Sequence, residues 1–177
     1  MAQFRTSPPD DEAPGLFSLS QIRHLMRVEF SRAQRYTYPL SCLVLSIDRL
    51  GHLRDLYGYE AKEALVEDLV RLLQRETRVC DYLGRLMDDR LMAVLPHTPQ
   101  EGARVTAERL LAGARNLSFE ADGRPVQITL SIGGSHYEDE NTLFFDTLLE
   151  SAEIASKLAE ERGGDRYQHR DPSEQER

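Results

Sequence analysis

The chain has no tryptophan, only two cysteines, and only Lys62 and Lys157 as lysines. Each shortage removes a class of explanation. Cys42 and Cys80 offer neither a disulfide framework nor thiolate metal-ligand spacing. Both stand in strand-like contexts where a small apolar residue suffices, so they read as reduced structural thiols. No apolar run approaches the roughly 20 residues needed to cross a bilayer, and Met1-Ala2-Gln3-Phe4-Arg5 lacks the apolar stretch of a secretory signal. The expectation is a cytoplasmic protein without membrane insertion. His24, His52, His97, His136 and His169 share no ligand spacing, so they read as surface or loop residues and no metal or cofactor is expected. A formal net charge of -8 excludes the broad positive field that nucleic acid polymers require.

What is present is a chain of 177 residues, 40% hydrophobic, enough for one full core and most simply one domain. Nearly all its cations are arginines, whose planar fork suits bidentate phosphate or guanine recognition. Residues 1–14, with Pro8, Pro9 and Pro14 beside Asp10, Asp11 and Glu12, read as a tail or linker, residues 15–169 as the domain, and residues 170–177 as a charged tail.

Within the domain, Ser18 or Ser20 caps a helix in which Ile22, Leu25, Met26, Val28 and Phe30 recur at helical spacing to about Tyr36. Leu43-Val44-Leu45 and Ile47 mark a buried central strand ending at Asp48. A second helix, broken at Tyr57-Gly58-Tyr59, leads to a hairpin whose strands flank Met87-Asp88-Asp89-Arg90 and close at Pro96. A helix from Gln100, a turn at residues 121–124, a strand over residues 126–133, a helix over residues 142–162 and a short strand near Tyr167 complete the pattern. This alternation predicts a single-domain α/β sandwich around one largely antiparallel sheet.

These residues resemble the GGDEF domain of bacterial diguanylate cyclases over nearly the whole chain. Asp11-Glu12-Ala13-Pro14-Gly15-Leu16 echoes the family's opening Asp-x-x-Thr-Gly-Leu. Ser46 through Glu63 follow its Asp-x-Asp-x-Phe-Lys-x-x-Asn-Asp segment and the Gly-His-x-x-Gly-Asp after it. The hairpin occupies the signature position, and Thr129-Leu130-Ser131-Ile132-Gly133 matches Thr-x-Ser-Ile-Gly. Ala159 to Tyr167 stands where the family ends in Ala-Lys-x-x-Gly-Arg-Asn-Arg.

The resemblance implies a site for GTP, and this chain departs from it almost everywhere. The metal carboxylates correspond to Ser46 and Asp89, and a serine hydroxyl is a poor ligand for a hard divalent cation. Asp48 is expected to point to the other face of the sheet. Met87 and Asp88 replace the signature glycines, placing side chains and a like charge where backbone should approach the nucleotide. Arg90 replaces the catalytic acid, and Arg54 the asparagine that reads guanine; Glu63 keeps an acid at the second guanine-reading position. Glu160 and Gly164 stand where two phosphate-binding cations belong. The expectation is a degenerate, catalytically inactive enzyme.

Many members also carry Arg-x-x-Asp before the signature, where cyclic di-GMP binds as product inhibitor, and Arg78-Val79-Cys80-Asp81 keeps that spacing. An arginine fork can bond phosphate or the guanine O6 and N7 acceptors, and a carboxylate can accept guanine N–H groups. Arg109 aligns with an arginine that supports the same site in some members. The reading implied is a cyclic di-GMP receptor using Arg78, Asp81 and Arg109 that signals to a protein partner or a second copy of itself. The alternative is a nucleotide-independent docking or dimerisation scaffold.

Overall fold

A computed structural model describes residues 16–175. The expected tail over residues 1–14, and with it Asp11, lies outside them. Helix α1 (Leu19–Tyr36) starts at a capping box: Ser18 Oγ accepts the Gln21 amide at 3.3 Å, and Gln21 Oε1 accepts the Ser18 amide at 2.9 Å. Such reciprocal caps stabilise a helix start by about 1 kcal/mol. Strand β1 (Leu40–Ile47) follows, then α2 (Leu50–Tyr57) and α3 (Tyr59–Glu76), two helices rather than one broken helix because Gly58 turns between them at φ 92°. The hairpin comprises β2 (Tyr82–Arg85) and β3 (Leu91–Pro96). Helix α4 (Gln100–Arg115), a small hairpin of β4 (Glu120–Ala121) and β5 (Arg124–Pro125), β6 (Leu130–Tyr137), α5 (Phe145–Glu161) and β7 (Arg166–His169) complete the fold.

The main sheet has the order β2-β3-β1-β6-β7 and is antiparallel except for the parallel pair β6/β7. Alternation along β1 divides the core between its two faces. Leu43, Leu45 and Ile47 pack with α3 and α4, while Leu40, Cys42 and Val44 pack with α1 and α5. Each fully buried leucine or valine contributes about 1.5–3 kcal/mol. The outermost strand β2 is covered by Phe17, whose backbone bonds to Leu83 and Arg85.

Several expectations change. The β6 strand begins at Leu130, not residue 126, and continues through the Gly133-Gly134 pair to Tyr137, because there glycine marks close packing rather than an end. Residues 126–129 overhang the point where β1 turns away into α2: the Asp48 amide still donates to the Thr129 carbonyl, but the Val126 amide donates to the Phe119 carbonyl rather than to β1. Cys80 is exposed in the turn before β2, whereas Cys42 is buried as expected. Residues 170–175 pack against the domain rather than forming a tail. The Arg170 amide donates to the Gly134 carbonyl, Pro172 is buried, and residues 172–175 form a 3₁₀ turn against α5 and β6.

Two histidines are also more than surface residues. His136, buried on β6, and His169 on β7 place ring nitrogens 2.9 Å apart. Burial, then the His136 ring, push the His169 pKa below its ordinary value, against Asp171 and Glu174, which favour the charged form. Below about pH 6.5 the unfolded chain therefore takes up this proton more readily than the folded one, and stability falls with pH until the depressed folded pKa is passed. His169→Gln should reduce the drop in urea midpoint between about pH 7 and pH 5. An unchanged drop would assign the acid sensitivity elsewhere.

Candidate functional site

The turn from α3 into β2 is held by its own charges. Asp81 Oδ2 accepts the Arg78 amide at 2.7 Å, and Oδ1 lies 3.2 Å from the Arg78 guanidinium. That guanidinium also donates to the Pro96 carbonyl at 2.9 Å and to Thr98 Oγ1 at 2.5 Å, which lays it against the exit of β3. Arg109, nearly two turns before the end of α4, donates to the Glu76 carbonyl at 2.8 Å and faces the Glu76 carboxylate at 3.5 Å. The fold thus brings Arg78, Asp81 and Arg109 to one cavity of about 400 Å³, shared with Glu76, Thr98 and Glu101.

The two arginine side chains remain 53% exposed, but the Asp81 carboxylate is only 3% exposed. Asp81 therefore acts on the turn and on Arg78. Sequence reasoning missed Thr98 and Glu76, because their roles depend on a strand exit and a helix end meeting in space.

At the hairpin tip Met87–Asp89 form a 3₁₀ turn, in which Asp88 and Asp89 adopt the left-handed φ values of 59° and 60°. Asp89 is met by Lys62 at 2.8 Å and by Arg85; Glu63 lies 2.9 Å from Lys62 and 3.6 Å from Arg85. Burial raises the Asp89 pKa, but the Lys62 and Arg85 hydrogen bonds outweigh it and leave the carboxyl below its usual range. Burial lowers the Lys62 pKa, but the Asp89 and Glu63 carboxylates outweigh it and hold the ammonium above its usual value. Lys62 and Arg85 were given no role from the sequence, since their meeting with Asp89 depends on α3 and β2 converging at the hairpin tip.

The other departures border neighbouring surfaces. The register pairing Leu45 with Leu91 sets Ser46 alongside Arg90, which reaches across to Glu153 on α5 at 3.4 Å. Met87 is exposed beside a groove of about 490 Å³ that also holds Arg23, Asp146, Glu150 and Glu153. Glu160 continues this acidic stripe at the end of α5. Arg54 is not drawn in; it is exposed on α2, 3.4 Å from Asp55.

Asp48 requires a correction. Residues two apart on a strand share a face, and Asp48 accepts a 2.6 Å bond from Ser131 Oγ, the cross-strand partner of Ser46. Its carboxylate also accepts from Thr129 Oγ1 at 2.7 Å and from the Asp165 amide at 2.9 Å. Gly164, at φ 73°, packs so closely that a Cβ there would lie 2.6 Å from this carboxylate.

The description "Diguanylate cyclase, GGDEF domain" matches residues 10–166 of the chain. The chain belongs to the GGDEF domain family. Diguanylate cyclase DgcP of Pseudomonas aeruginosa is 27% identical over 158 residues, which make up 89% of this chain and 23% of DgcP. Diguanylate cyclase A of Treponema denticola is 29% identical over 116 residues, 66% of this chain and 31% of that protein. The chain thus spans less than a third of either relative. The FimX GGDEF domain from Pseudomonas aeruginosa superposes with a TM-score of 0.83 at 23% identity, covering 92% of this chain and all of that one. The GGDEF domain of DgcB from Caulobacter crescentus, solved in complex with c-di-GMP, superposes at 0.81 with 14% identity, covering 87% of this chain and 91% of that one. No helix among the described residues is long and apolar enough to cross a membrane.

Proposed function

We propose that this GGDEF domain is a catalytically silent receptor for cyclic di-GMP in second-messenger signalling. The observation that carries the reading is the convergence of Arg78 and Arg109, from the start of the hairpin and from α4, on one cavity while both guanidinium groups stay half exposed. Their forks supply charge-assisted donors for the ligand's phosphates and guanine acceptors. Asp81 holds Arg78 in place through the turn.

Silence follows from the other site. Ser46 and Asp89 fit a divalent cation poorly: one offers a hydroxyl, and the other already accepts from Lys62 and Arg85. A metal-bound triphosphate would have to displace those cations beside an α5 face carrying Glu150, Glu153 and Glu160. Arg90 cannot serve as a general base, being always protonated. Signalling then requires that bound ligand favour one of two states of a contact with a partner protein or a second copy.

Calorimetric titration of the wild-type domain with cyclic di-GMP, and separately with GTP and magnesium, tests this. Saturable binding of cyclic di-GMP with no conversion of GTP is the expected result. Absence of cyclic di-GMP binding overturns the receptor reading in favour of a docking scaffold, and turnover of GTP overturns the silent-enzyme reading.

A further inference from the structure

We propose a second ligand pocket, for a small amphipathic carboxylate, on the flank of α2 that faces residues 126–129. The overhang of those residues beyond the end of β1 leaves a cavity of about 460 Å³ between them, α2 and the turn from α5 into β7. That volume lies within the range of about 300–1,000 Å³ typical of small-molecule pockets. The cavity shares no lining residue with those at Arg78, at Asp89 or along α5. His52 lines it and Arg54 does not, as expected for helix residues about 200° apart around the axis.

Its walls are apolar, formed by Leu53, Leu56, Tyr57, Val126 and Ile128. Leu56 is 60% exposed, so an occupant would cover hydrocarbon now in water. The charges at the rim are unequal in their freedom. The Asp48 carboxylate already accepts three hydrogen bonds, and Asp165 is paired with Arg115 at 2.8 Å. The exposed side chains of Arg49 and His52 have no hydrogen-bond or ion-pair partner among the described residues.

Arg49 is therefore the charged group at the mouth left free to take up a partner, whereas the Asp48 oxygens are already engaged by Thr129, Ser131 and the Asp165 amide, above an apolar wall. A flat hydrocarbon body carrying one carboxylate matches both features: the body lies on Leu56 and Val126, and the carboxylate accepts from the Arg49 fork. The pocket stands independently of the cyclic di-GMP reading.

An amide-resolved NMR titration with 2-naphthoate, and with its neutral counterpart 2-naphthamide, tests the proposal. Saturable shifts at residues 126–129 and α2 are expected, with 2-naphthamide binding about tenfold more weakly. Arg49→Asn removes the cation while tolerating the left-handed φ of 58° at that position; Leu56→Gln alters only exposed wall. Each should weaken 2-naphthoate about tenfold and leave the rest of the spectrum unchanged, whereas Arg78→Ala should leave its affinity intact. Lack of saturable shifts, equal binding of the amide, or indifference to Arg49→Asn and Leu56→Gln would overturn the pocket.

Discussion

Arg78→Ala is expected to weaken cyclic di-GMP binding by about 30- to 1,000-fold, the equivalent of about 2–4 kcal/mol for truncating a charged donor at a ligand site. The loss has two sources. The guanidinium supplies the fork, and its bonds to Pro96 and Thr98 pin it to the strand exit before ligand arrives. A preorganised side chain loses less entropy on binding. Arg78→Lys keeps the charge but not the planar fork, so it should recover only part of the affinity. Arg109→Ala should cost less, because Arg109 is anchored mainly through Glu76. Calorimetry on the three variants, with melting curves to verify folding, reads this out. An Arg78→Ala domain that binds as tightly as wild type would remove this cavity from the mechanism.

Gly133→Ala is expected to cost about 3 kcal/mol or more, and to lower the melting temperature by roughly 6–12 °C for a domain of this size. Strand β6 lies directly on α5 at this point. A Cβ at residue 133 would stand 2.1 Å from the Ser156 amide nitrogen and 2.2 Å from the Ala152 carbonyl oxygen. Both are helix backbone atoms, which cannot rotate aside as a side chain can. Relief demands that the sheet and α5 move apart, loosening contacts of Ala152, Ala155 and Ser156 that are buried now. Gly51→Ala is the control: it lies within α2 with open space around its Cβ position, so it should be neutral or stabilising by up to about 1 kcal/mol. Equal melting temperatures for Gly133→Ala and wild type would show that this interface yields more easily than its geometry implies.

Much of the fold was legible in the chain because local rules determine it. Ser18 or Ser20 announces a helix start, Leu43 to Ile47 a buried strand, and Pro96 a strand end; in the structure Ser18 is the cap, and the other two take those roles. The boundaries that failed depend on neighbours. Residues 126–129 have strand-like composition, but pairing needs a partner, and β1 has already turned into α2. Gly133-Gly134 resembles a terminator until α5 and the Tyr167 ring occupy the space beside it.

For the site, the spacing of Arg78 and Asp81 was readable because a turn of four residues is local, and Asp81 caps it. The sequence by itself determined the family, the alternating architecture and the changed residues at the hairpin. Only the tertiary structure decided that Thr98 and Glu76 join Arg78 and Arg109, that Lys62 and Arg85 take up Asp89, and that His136 meets His169. The physical reason is range: capping and side-chain periodicity act within a few residues, whereas ion pairs and cavities depend on where distant segments meet once the core has closed.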